Sequence, residues 1–215
     1  MNRQFLLAVL AANVAIGAAN ASVPTVCYSD AIPIQPTNWG LSVTIPQFNP
    51  GPGQVLQSIS FELFGEVTGS AAFESLDAAP ATVTMNLSAM IQLQRPDNSV
   101  LLTVLPLVAT TDNVGPFDGV IDFGGTSGAT YNNLYANAID NATSTNPADL
   151  ALFTGPGTIT LPVVATGNSS GSGAGNLLLL FQTSAGASVR VCYEYIPEPA
   201  TLAMLAFAGL LVRRR

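Results

Sequence analysis

The 215-residue chain has no histidine, and its six basic residues, Arg3, Arg95, Arg190, Arg213, Arg214 and Arg215, are all arginine, so lysine is absent too. Each absence excludes a chemistry. Without histidine there is no Ser-His-Asp or Cys-His nucleophile pair and no imidazole zinc site. Without lysine there is no Schiff base and no phosphate-loop lysine. Charged residues make up only 9% of the chain against 48% hydrophobic ones, so it can bury a core. Only two cysteines occur, Cys27 and Cys192, too far apart for a C-x-x-C redox pair and lacking the partners of a structural zinc site. The expectation is a protein that is not an enzyme and has no cofactor, calcium aside.

What is present begins with two unusual ends. Arg3 precedes an apolar run, Phe5 to Ala12, followed by small residues and Ala19-Asn20-Ala21. This is the small-x-small form that signal peptidase accepts, so residues 1–21 read as a signal peptide cleaved between Ala21 and Ser22. The run is short and is broken by Asn13 and Gly17, which argues against a membrane anchor. At the other end, Pro197-Glu198-Pro199 leads into an apolar stretch from Ala200 to Val212 and then Arg213, Arg214 and Arg215. The prolines stop a preceding strand, the apolar segment partitions into the bilayer as a helix, and the arginines stay cytoplasmic, which orients the domain outward. A helix of that length spans about 20 Å against a hydrocarbon core of about 30 Å, a marginal crossing.

This tripartite terminus, residues 197–215, resembles the PEP-CTERM sorting signal of proteins exported by Gram-negative bacteria. The resemblance implies recognition by an exosortase, a membrane cysteine protease and transpeptidase. That enzyme would cut near Pro197, Glu198 and Pro199 and could join the new end to a surface acceptor. The expected partners are therefore signal peptidase, the exosortase and, before processing, the membrane.

Between the signals, residues 22–196 read as one all-β domain, an antiparallel β-sandwich of jelly-roll or immunoglobulin-like type. From Thr82 to Gln94, apolar Val83, Met85, Leu87, Ala89, Ile91 and Leu93 alternate with polar residues, the period of a strand with one buried face. The same rhythm recurs at Leu41-Val43-Ile45, Ile59-Phe61-Leu63, Ile159-Leu161-Val163 and Val189-Val191-Tyr193-Tyr195. The continuous run Leu177 to Phe181 predicts a central strand covered on both faces. Tyr131 to Ala142, with Leu134, Tyr135, Ala138 and Ile139 at three-to-four spacing, is the one helix candidate, with a loop as the alternative. Gly/Pro clusters at 49–53, 115–116 and 155–157 mark turns, and 167–173 reads as a solvated Ser/Gly loop. Phe48-Asn49-Pro50, Pro116-Phe117-Asp118-Gly119 and Phe153 to Val163 resemble the choice-of-anchor E type of bacterial surface domain, over roughly residues 45–196. That likeness implies a β-rich exported module and brings no catalytic residues.

Cys27 and Cys192 fall in the first and last strand-like segments, and in an exported protein they read as one disulfide, with two separate buried thiols as the alternative. Closing so long a loop stabilises by at most about 5 kcal/mol in the chain-entropy account. Arg95 and Arg190 face twelve carboxylates between Ser22 and Ile196, a formal charge of −10 that leaves no basic patch for nucleic acid. It suits contact with hydrated exopolysaccharide, directly or through divalent ions. Asp112, Asp118 and Asp122 are candidate calcium ligands, although no EF-hand spacing is present and Asx-turns account for them more simply. Glu62 with Glu66, or Asp118 with Asp122, are the carboxylate pairs a glycosidase would need. Trp39 is either a packing residue or the aromatic platform of a glycan-binding module, the second reading of function.

Overall fold

Alternating apolar positions become strands because each presents one face to a shared core. The computed structural model describes residues 23–197. In chain order they form β1 (Thr25–Pro36), β2 (Trp39–Pro46), β3 (Val55–Ser75), β4 (Ala81–Gln94), β5 (Val100–Val104), β6 (Leu107–Val114), β7 (Gly128–Ser144), α1 (Pro147–Leu152), β8 (Thr158–Gly167), β9 (Ser170–Ser172) and β10 (Leu177–Ile196). The first sheet has the order β1-β10-β3-β7 and the second β2-β8-β4-β5, with β6 and β9 also on β4. Every pairing between these strands is antiparallel.

The long strand β4 explains the extra members of the second sheet. Its first half pairs with β6 and β9, and its second half with β5 and β8. Each neighbour is thus one path broken once. Between β5 and β6 the break is Leu105-Pro106, where proline has no N–H to offer a ladder. Between β8 and β9 it is Asn168-Ser169, whose groups bond Ser88 instead: Asn168 N–H donates to the Ser88 carbonyl (2.9 Å) and Ser88 Oγ to the Asn168 carbonyl (2.6 Å). The Ser/Gly segment expected to be wholly loop therefore contains a strand, β9.

The two sheets meet over one main core. Ile59, Phe61, Leu63, Val67, Val189, Val191 and Tyr193 come from the first sheet, and Val43, Ile45, Leu87, Ile91, Leu93, Leu161 and Val163 from the second. In β4 the expected alternation holds: Val83, Met85, Leu87, Ala89, Ile91 and Leu93 are all buried. A smaller cluster of Ala71, Phe73, Val83, Met85 and Val114 fills one end.

Two expectations are corrected. Tyr131–Ala142 is neither helix nor loop but lies within β7. Leu134 pairs with Gly69 and Tyr131 with Ala71, so two residues of β7 oppose Ser70 alone, and Asn133 takes φ 58°. This β-bulge shifts the pleat by one and puts Tyr131 and Leu134 on one face, giving the spacing that imitates a helix turn. Likewise, Leu177–Phe181 is not a strand covered on both faces. Leu178, Leu179 and Leu180 are 37%, 40% and 50% exposed: Leu178 and Leu180 project from the outer face, on which no described element packs, and β1 reaches only as far as Ser184 along β10.

The helix lies instead at α1, where Asn146 accepts from Ala148 N–H and Pro147 occupies the first turn. It seats Phe153 in the core, edge-on to Phe61 with ring centroids 5.2 Å apart. Among the described residues no helix is long and apolar enough to cross a membrane. The expected sorting helix, 200–212, lies outside them.

Candidate functional site

The last strand leads directly to the expected sorting motif. β10 ends at Ile196, and the next residue, Pro197, is exposed. Four residues before that end, Cys192 lies opposite Cys27 of β1 in the strand register, and the two form a disulfide with Cα atoms 4.0 Å apart. The exit point is thereby tied to the start of the domain. Ala19, Ala21 and Ser22 of the signal-peptide site lie outside the described residues, as do Glu198, Pro199, Arg213, Arg214 and Arg215.

Around the disulfide, the outer face of the first sheet forms a polar row. Ser29, Arg190, Glu62 and Asn141 stand opposite one another across β1, β10, β3 and β7. Next to it, Ser60 Oγ and Thr143 Oγ1 are 3.2 Å apart, and Arg190 Nη2 lies 3.7 Å from Cys27 Sγ. Glu62, Asn141, Thr143, Arg190 and Cys192 line a shallow depression of about 220 Å³. Among the described residues Arg190 makes no ion pair, since the one salt bridge joins Arg95 and Asp149.

The acidic candidates are occupied by local bonds. Asp112 accepts from the Tyr131 hydroxyl. Burial, together with the Asp112 carboxylate, raises the Tyr131 phenol above its usual range. Asp118 accepts from Val120 N–H (3.0 Å), and Asp122 from Gly124 N–H (2.9 Å), each two residues on. These are Asx-turns. Among the described residues no three His, Cys, Asp or Glu side chains gather as metal ligands would. Glu62 and Glu66 lie four residues apart on β3, about 13 Å by strand rise, beyond the 5 to 10 Å of a glycosidase pair. Trp39 is half-buried and packs on the core, and its buried Nε1 has no hydrogen-bond partner, which disfavours an exposed platform.

Two carboxylates have structural roles that the sequence reading did not assign, although Asp149 was among its acidic residues. Glu74 is fully buried at the far end of β3. Its Oε2 accepts from Phe123 N–H at 2.8 Å and its Oε1 from Ser127 Oγ at 2.6 Å, so it holds down the loop 115–127. Only glycine fits opposite it at position 128, where a Cβ would stand 2.5 Å from Oε2. Asp149 of α1, 4% exposed, takes a bidentate grip from Arg95, Nε at 2.7 Å and Nη2 at 2.9 Å, plus Ser144 Oγ at 2.6 Å. The Arg95 hydrogen bond, ahead of the Ser144 one, holds this carboxyl below the usual range. The signal for Asp149 was Asn146-Pro147, a helix cap whose first turn favours an acid. For Glu74 there was none.

No family model and no curated protein matches the chain. Among solved structures, a mutant VP2 protein of infectious bursal disease virus in T=1 particles is 14% identical, covering 88% of this chain and 40% of that one, with TM-score 0.18. The VP2 subviral particle of the same virus is 16% identical over 88% of this chain and 41% of that one, with TM-score 0.20. This chain spans less than half the length of those proteins, and likenesses at such scores carry no argument about it.

Proposed function

We propose that this is an exported, non-enzymatic protein of the cell surface or extracellular matrix of a Gram-negative bacterium, carrying a PEP-CTERM signal that an exosortase processes at Pro197-Glu198-Pro199. The observation that carries the reading is the juncture at Ile196. The disulfide-tied last strand stops there, and the motif begins on an exposed proline. A processing enzyme needs an accessible, extended peptide, and a proline on each side of Glu198 is a sequence that opposes strand pairing. The domain is of choice-of-anchor type. Its fold is a jelly roll: with β5/β6 and β8/β9 each counted as one strand, the sheet orders become 1-8-3-6 and 2-7-4-5, two interlocked Greek keys.

The test is to replace Glu198 by Ala and, separately, to remove residues 200–215, and to follow the protein in membrane, surface and medium fractions of its native host. The proposal expects the Glu198→Ala precursor to accumulate uncut in the membrane fraction. Normal surface delivery of both variants would remove the exosortase from the account.

A glycan-binding module is the second reading, supported by the depression at Arg190. Guanidinium, carboxylate, amide and hydroxyl groups meet there at near-zero local charge, a set suited to pairs of sugar hydroxyls. Exopolysaccharide of the matrix is the partner this reading names.

A further inference from the structure

The first sheet is not closed along its whole length. β3 pairs with β10 from Leu177 to Ile196, but β1 pairs with it only from Ser184 to Glu194. Among the described residues, Leu177–Thr183 is therefore a sheet edge. Thr37 N–H donates to the Thr183 carbonyl at 3.0 Å and closes one end of it, which fixes the side to which Thr183's backbone points. Backbone groups alternate along a strand, so the N–H and C=O of Leu177, Leu179 and Phe181 also point to the open side. Natural sheets protect such edges with charges, prolines, bulges or a covering segment. Here there is no proline and no charge anywhere from Gly157 to Val189 except Pro162 in β8, and three consecutive leucines are between 37% and 50% exposed.

We propose that a second copy of this chain covers this edge, the two β10 strands pairing antiparallel about a two-fold axis at Leu179 to join two four-stranded sheets into one of eight. A row of open N–H and C=O groups is matched by another strand edge, and the aliphatic side chains beside it require an apolar one. The chain's own edge meets both conditions. In a domain of net charge −10, this uncharged stretch is also where two copies approach with least repulsion. The register follows from the open groups. With Leu179 opposite Leu179, Leu177 of each copy lies opposite Phe181 of the other, and about six hydrogen bonds use every open group. Leu178 then meets Leu180 across the axis on the outer face. Sliding by one pair in one direction would call on the Thr183 carbonyl, which Thr37 already occupies, and in the other on Gly175, whose N–H already donates to Asp77. The strip is much smaller than the roughly 800 Å² per partner of a standard interface, so the association is reversible and rises with concentration. It is independent of how the C-terminus is processed.

The test is sedimentation velocity on the protein recovered from its native host, from low micromolar to about 1 mM. The expected result is a mass that moves from one chain toward two. Leu179→Pro removes an N–H that faces the open edge and makes no bond to β3. It should keep the circular dichroism of the native protein and stay monomeric. Leu180→Lys sets a charge on each side of the axis and should stay monomeric too, a second variant in case proline disturbs the strand. Leu179→Cys should form a covalent dimer under oxidising conditions, whereas Leu178→Cys, which faces Leu180, should not. A native protein that stays monomeric throughout overturns the proposal. So does a dimer that survives both Leu179→Pro and Leu180→Lys.

Discussion

Cys27 and Cys192 are direct cross-strand partners on the outer face of the first sheet, joined by a disulfide between strands 165 residues apart in sequence. The bond ties the first strand to the last, beside the point where the chain leaves the domain. Its thermodynamic effect falls mainly on the unfolded chain, whose ends it holds together. Reduction with a thiol, or Cys27→Ser with Cys192→Ser, should lower unfolding free energy by up to about 5 kcal/mol while leaving the strand content unchanged in the circular dichroism of the folded state. Denaturant melts with and without reductant measure this.

The Arg95–Asp149 pair predicts a pH dependence of stability. The folded-state value of the Asp149 carboxyl lies below its unfolded value, so the folded protein releases this proton more readily. The contribution is fully present above the unfolded value of about 4 and is lost as pH falls through the folded one. Arg95→Met should cost about 2 kcal/mol at neutral pH, because it strands a buried carboxylate on Ser144 alone. In acid the gap between variant and wild type should shrink. Thermal melts between pH 7 and about pH 2 would show it.

Glu74→Ala removes both acceptors of the Phe123 N–H and Ser127 hydroxyl and opens a void under the loop 115–127. The expected cost is about 2 to 4 kcal/mol. Backbone amide exchange at Phe123 and Gly124 should accelerate more than exchange in β4, since this loop is what the carboxylate holds. Equal acceleration in both places would deny Glu74 a local role.

Gly65 of β3 faces the opposite sheet at close range. A Cβ there would lie 2.5 Å from Val104 Cγ2 and 2.8 Å from Ile91 Cδ1, both buried core atoms of the opposite sheet. Gly65→Ala should destabilise by about 1 to 3 kcal/mol through overpacking. Pairing it with Val104→Ala should recover part of the loss, and a denaturant double-mutant cycle reads the coupling.

Strands with one wet face were legible from the alternation itself. Val83 to Leu93 shows why: period two is what a half-buried strand requires, and no nearby feature interrupts it. Tyr131–Ala142 misled because the bulge at Asn132-Asn133 breaks the period at the position a helix would use, and a bulge depends on the partner strand. Leu177–Phe181 misled for a related reason. An all-apolar run implies cover on both faces, but which layers pack on a strand, and how far β1 reaches along β10, are properties of the whole sheet. The Cys27–Cys192 pairing was readable from compartment and count, and the turn roles of Asp118 and Asp122 from residue type. Glu74 was not, because a buried carboxylate is satisfied by donors from a loop some fifty residues later in the chain.

The account's central claim is processing at the C-terminal motif, and intact mass with C-terminal peptide mapping of protein from the surface and medium of the native host tests it most directly. The account predicts a chain that begins at Ser22 and ends near Pro197 to Pro199, alone or carrying the mass of an attached group. A surface or secreted chain that still ends at Arg215 would contradict it.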